Sequence, residues 1–201
     1  MSEPNDRRFG RRYPARMRRR SLCLAALAVV VVSGCSSTST SSGSVTTSST
    51  VKAVKARPAG VNPSKSAEMV CAVEAQKDIR QALGVGVTAV SAPTWVDHVY
   101  SCTYEYPDGS YTLSVKELDS AQQTKSYFEQ LGTQLGRRPG TVALGEGAFL
   151  TTDGSLVARK DWKVLVVDAS KLPAQFGQPP LSPAQVAESV GVTIMGCWSG
   201  A

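Results

Sequence analysis

Between residues 66 and 201 the apolar positions switch between a period near 3.6 and a period of 2. These spacings place side chains on one face of a helix or of a strand. Ser66 is suited to cap a helix with Glu68 in its first turn. That helix runs to Gly84, with Ala72, Ala75, Ile79, Ala82 and Leu83 on one face and Cys71 bordering it. Val99 to Tyr106 alternates as a half-buried strand does: Tyr100, Cys102, Tyr104 and Tyr106 face one way, Ser101, Thr103 and Glu105 the other. Pro107-Asp108-Gly109-Ser110 is turn chemistry, so Tyr111 to Leu118 returns as the second strand of a hairpin. Asp119 or Ser120 opens a second helix to about Leu135, with Tyr127, Phe128, Leu131 and Leu135 at helical spacing, and Gly136 to Gly140 follows as a loop. Gly147 to Thr152, Ser155 to Lys160 and Trp162 to Asp168 read as three strands, the first two joined by Asp153-Gly154. Ser182, with Pro183 at the first helical position, opens a last helix carrying Ala187, Val190, Ile194, Cys197 and Trp198 on one side. The order helix, hairpin, helix, three strands, helix predicts an α+β domain: a mostly antiparallel sheet of about five strands covered by helices.

A different pattern precedes this domain. Eight arginines in the first twenty residues are followed by Leu22 to Val32, eleven uncharged and mostly aliphatic residues. As a helix at about 1.5 Å per residue, that run covers roughly half of a ~30 Å hydrocarbon core, too little to span it. A charged start, a short apolar run and small residues at its end make a secretory signal peptide. The run closes on Val32-Ser33-Gly34-Cys35, which resembles the bacterial lipobox. The resemblance implies cleavage between Gly34 and Cys35, a lipid on the Cys35 thiol, and a protein held on the outer face of the plasma membrane. Cys23, within the apolar run, has an arginine-rich upstream flank and is not the lipidation site. Arg19-Arg20-Ser21-Leu22 weakly resembles a twin-arginine export signal, and the export route stays open.

Thirteen of the fifteen residues from Ser36 to Thr50 are Ser or Thr, and Pro58, Gly60 and Pro63 follow. Such a composition buries too little apolar surface to form a core. The chain therefore divides into a signal peptide (1–34), a lipidated Cys with a disordered tether (35–65) and one α+β domain (66–201). A flexible coil of 28 residues from Ser36 to Pro63 has an r.m.s. length of about 30 Å.

The leader also changes the meaning of the net charge of +6. Removing its eight arginines and two acids from totals of 22 basic and 16 acidic residues leaves 14 of each sign. A neutral exported domain lacks the field on which nucleic-acid binding draws, so the expected partners are the membrane, through the lipid, and an envelope protein, polymer or lipid.

Export makes disulfides possible, and the domain keeps Cys71, Cys102 and Cys197. Cys71 and Cys102 lie on or beside core-facing surfaces of neighbouring elements and are the expected pair, leaving Cys197 as a buried thiol; pairing of Cys197 with either is the alternative. A Cys197 nucleophile would need His98, the single histidine, to converge on it. One histidine and one remaining cysteine do not make a four-ligand zinc site. Gly145-Glu146-Gly147 precedes a strand instead of opening a helix after one, so it is not a phosphate-binding loop. Glu146, Asp153, Asp161 and Asp168 show no spacing that pairs two carboxylates for hydrolysis. No catalytic, cofactor or metal site is expected. Arg159, Lys160, Asp161, Trp162 and Lys163 put four charges around a Trp at a hairpin tip, a solvated turn or an interface anchor. Tyr100, Tyr104, Tyr106, Tyr111, Phe128 and Trp198 are core residues unless sheet and helices leave a gap, in which case they line an apolar pocket.

With its lipobox, Ser/Thr tether and element order, and with Cys71, Cys102-Thr103-Tyr104 and Cys197-Trp198, the chain resembles small conserved lipoproteins of actinobacteria. The resemblance implies one extracytoplasmic domain without an assigned activity. The antiparallel arrangement is also similar to the Mog1/PsbP-like fold. The expected function is a non-catalytic interaction module of the cell envelope, with a carrier of an apolar or glycolipid ligand as the alternative and a hydrolytic enzyme as the least favoured reading.

Overall fold

The computed structural model describes residues 56–198; Gly34, Cys35, the leader and most of the tether lie outside the described residues. Folded structure begins at Ser64, whose side chain caps α1 (Lys65–Glu68) by accepting a hydrogen bond from the Ala67 N–H. Pro63, Ser64 and Lys65, assigned to the tether on sequence, thus adjoin the folded unit. A 3-10 turn (Met69–Cys71) and α2 (Val73–Leu83) follow. The single helix expected from Ser66 to Gly84 is therefore broken at Ala72, which is extended at ψ 153°. The break has a local cause. The Tyr104 hydroxyl donates to the Val70 carbonyl at 2.7 Å, and the Gln76 side-chain amide donates to the Cys71 carbonyl at 3.1 Å, so side chains take acceptors that a continuous helix would use internally. The buried set becomes Ala67 and Val70 before the break and Ala75, Ile79 and Leu83 after it, while Ala82 is exposed.

Seven strands follow one another as β1 (Ala89–Val90), β2 (Thr94–Val96), β3 (Val99–Tyr106), β4 (Gly109–Glu117), β5 (Gly147–Leu150), β6 (Leu156–Lys160) and β7 (Lys163–Asp168). α3 (Ala121–Gln134) lies between β4 and β5, and α4 (Pro183–Trp198) closes the described chain. All strand pairs are antiparallel, in the order β1-β3-β4-β7-β6-β5, with β2 sharing the outer side of β3 with β1. The fold is α+β, with seven strands in place of about five. The two additional strands are two and three residues long and flank Ser91-Ala92-Pro93, too short and too interrupted for a period of 2 to register.

Helices cover the sheet unequally. One face carries Tyr104, Leu113, Val115, Leu165, Val167, Leu156 and Ala158 and packs under α1, α2 and α4. On the other face α3 inserts Phe128 and Leu131 against Phe149, Val157 and Val164. The β3–β4 half of that second face carries Ser101, Thr103, Thr112 and Ser114, and hydroxyls pair across strands there: Thr94 with Ser101 and Thr103 with Thr112, each at 3.0 Å. The cores are closed by aromatic contacts. Tyr104 stacks on Tyr111 at 5.0 Å between ring centroids, Tyr106 meets Phe176 edge-on at 4.9 Å, and Phe128 meets Phe149 at 5.0 Å. These rings fill the space between sheet and helices. Burial raises the Tyr104, Tyr106 and Tyr111 hydroxyls above the usual phenol range, so all three stay protonated.

Cys71 and Cys102 are joined by a disulfide, with Cα atoms 6.0 Å apart, so the bridge ties the 3-10 turn to β3. Cys197 keeps its thiol and is half-buried, more open than the core position expected for it.

Candidate functional site

The most differentiated surface lies at one end of the sheet, where the C-terminal end of β4 joins two hairpin tips to the start of the domain. Val96 pairs with Val99 and Lys160 with Lys163, leaving the two-residue loops Asp97-His98 and Asp161-Trp162. All four loop residues have positive φ, between 48° and 62°, the geometry of a type I′ turn. The turns flank β4. The Glu117 N–H donates to the His98 carbonyl at 2.9 Å and the Leu118 N–H to the Trp162 carbonyl at 3.0 Å. A lysine caps each one: Lys116 Nζ donates to the Asp97 carbonyl, and Lys163 Nζ to the Asp161 carbonyl at 3.3 Å. Trp162, expected at the start of a strand, thus belongs to the turn itself.

The start of the domain is fastened to the same end. Ser64 donates from its backbone N–H, at 3.1 Å, and from its hydroxyl to the carboxylate of Glu117, which is 5% exposed. A few residues earlier, the Trp95 indole N–H donates to the Val61 carbonyl at 2.8 Å, and His98 Nδ1 lies 3.1 Å from the Gly60 carbonyl. The two rings meet edge to face at 5.7 Å. Val61 and Val96 stand out from this clasp, 91% and 64% exposed.

The histidine is therefore a backbone clamp. Cys197 is elsewhere, its Sγ 4.0 Å from Asp78 Oδ2 on α2, and the structure does not bring the two residues together. Of the carboxylates, Asp153 and Asp168 meet at Ser155, a convergence that no sequence spacing signals. Asp153 Oδ1 accepts from the Ser155 N–H at 3.1 Å, and Asp168 Oδ1 is 3.4 Å from the Ser155 hydroxyl and 3.0 Å from the Ser170 N–H. They border a cavity of about 130 Å³ with Thr151 and Leu135. For Asp153 burial acts to raise the pKa, but hydrogen bonds from Thr151 and Ser155 outweigh it and hold the carboxyl below its usual range. Both groups secure the β5–β6 turn and the end of β7, and the depressed acid of Asp153 suits an anion that fixes backbone better than a proton donor. Glu146 pairs with Arg159 at 3.1 Å and accepts from the Asp161 N–H at 3.2 Å, which steadies the Trp162 turn. Among the described residues no group of three or more His, Cys, Asp or Glu side chains converges to hold a metal ion, and no helix is long and apolar enough to cross a membrane.

Sequence reading flagged the Arg159 to Lys163 tip but not its partner. The signal for the second turn was Asp97-His98 between Val96 and Val99, obscured because neither residue is the Gly or Asn that marks such turns. No family model, curated protein or solved structure matches this chain.

Proposed function

We propose that this chain is a bacterial lipoprotein, exported by its leader and held on the outer face of the plasma membrane by a lipid on Cys35, whose domain serves as a non-catalytic interaction module of the cell envelope. The observation that carries the reading is the Cys71–Cys102 disulfide. Structural disulfides persist on the oxidising side of a membrane and are rare in the cytosol. An arginine-rich leader ending at Gly34-Cys35 supplies the route there.

The reading of the domain as a module draws on how its chemically capable groups are used. His98 clamps backbone, Asp153 and Asp168 cap turns, and Glu146 pairs with Arg159. A carrier of an apolar ligand would need its central aromatic residues to line a chamber, whereas Tyr104 and Tyr111 stack on each other, both fully buried in the core. Cys35→Ala tests the anchor: in cells given a labelled fatty acid, the natural protein takes up label and the variant takes up none and leaves the membrane fraction. Equal labelling of the two would overturn the assignment.

A further inference from the structure

We infer that the hairpin end of the sheet, bearing Val61, Val96, Trp95 and Trp162, docks in the headgroup region of the bilayer that holds the Cys35 lipid. The inference rests on the lipid-anchor reading above and adds to it an orientation and a second membrane contact.

Chain path is the first argument. Gly60 and Val61 are held by His98 and Trp95, so the 24 residues from Ser36 to Ala59 must reach the domain at this end. At the coil dimensions that a Ser/Thr-rich composition predicts from sequence, 24 residues correspond to an r.m.s. length of about 25–30 Å. Such a link keeps the domain at an effective concentration of order millimolar beside its anchor, so a surface of modest affinity is enough to hold it down.

The chemistry of the surface is the second. Val61 and Val96 expose apolar side chains on either side of the clasp, and the tryptophans carry the amphipathic ring that favours the membrane–water boundary. Lys116 and Lys163 hold their ammonium groups at the turn carbonyls, where their remaining N–H donors can meet lipid phosphates.

Backbone geometry is the third. His98 and Trp162 occupy positive φ, 58° and 62°, at turn positions where Gly has no steric cost. The strain at His98 is offset by its contacts with Gly60 and Trp95. Among the described residues Trp162 makes no ring–ring contact. The ring is partly buried at its turn, which leaves its outer part to meet a surface outside the domain.

The test uses the mature lipoprotein, reconstituted through its own lipid into vesicles of phosphatidylcholine and phosphatidylglycerol with brominated acyl chains. Tryptophan quenching is measured for the natural protein, for Val61→Asp/Val96→Asp, and for Val73→Asp on α2, a residue 74% exposed and outside the clasp. Quenching is expected for the natural protein and for Val73→Asp. The double variant should lose it, with a docked-to-free ratio lower by about tenfold, the equivalent of ~1.4 kcal/mol. Trp162→Phe should remove part of the quenched signal. The far-ultraviolet spectrum and thermal midpoint of each variant confirm that the fold is retained. A lipidated protein that floats with the vesicles yet is not quenched, or is quenched equally in the double variant, overturns the docking and leaves the anchor intact. A protein without a diacylglyceryl mass on Cys35 overturns both.

Discussion

Gly84 shows how tightly a single position can be specified. It ends α2 in the left-handed region at φ 67°, and a Cβ built there would lie 2.1 Å from the Gln178 carbonyl oxygen. Leu83 accepts from the Gln178 N–H at 2.8 Å, so the Pro-rich connection before α4 is laid directly over the helix end. An L-residue costs roughly 1–2 kcal/mol in this conformation, and the backbone overlap adds to it. Gly84→Ala should therefore destabilise the domain by at least about 2 kcal/mol, read as a lower denaturant midpoint with an unchanged slope. A loss under about 0.5 kcal/mol would mean that the connection moves aside freely. The sequence marked Gly84 as a helix stop, which is correct, but the second constraint comes from a residue 94 positions later and has no local signature. Asp153 and Asp168 are legible to the same degree. Asp153-Gly154 reads as a hairpin, whereas convergence of the two acids on Ser155 depends on the β6–β7 register.

At the scale of elements, periodicity located β3, α3 and α4 closely, because each has a continuous apolar stripe and a clear boundary: Pro107 after β3, Ser120 before α3, and Ser182-Pro183 before α4. It failed where tertiary contacts override local preference. The break at Ala72 follows from Tyr104 capturing the Val70 carbonyl, and β1 and β2 exist because β3 offers them an edge. The disulfide reinforces the same junction. Joining residues 31 apart in sequence, it should contribute about 3–4 kcal/mol on the chain-entropy account. The double variant Cys71→Ala/Cys102→Ala is expected to unfold at correspondingly lower denaturant, with the 3-10 turn and α1 losing amide protection from hydrogen exchange before α3. Uniform loss of protection across all helices would show that the bridge does not act locally.

For the molecule as a whole, charge and topology point the same way. The basic excess lies in residues 1–20, and residues 36–201 carry 14 basic and 14 acidic residues; on the function proposed above, the position of the domain is then set by its link to Cys35. Three segments far apart in sequence gather at one end of the sheet: Gly60-Val61, the Asp97-His98 turn whose neighbourhood clasps them, and the Asp161-Trp162 turn. Only the last was visible as a charged tip around a Trp. The clasp required the antiparallel order that puts both turns beside the end of β4. The proposed location and the docking both depend on Cys35 being the first residue of the mature protein. The most direct measurement is the intact mass, with fragmentation from the amino terminus, of the protein extracted from membranes. A chain that starts at Cys35 and carries a diacylglyceryl group on its sulfur is the predicted result; a mature chain that starts elsewhere, or that retains an unmodified Cys35 thiol, would contradict it.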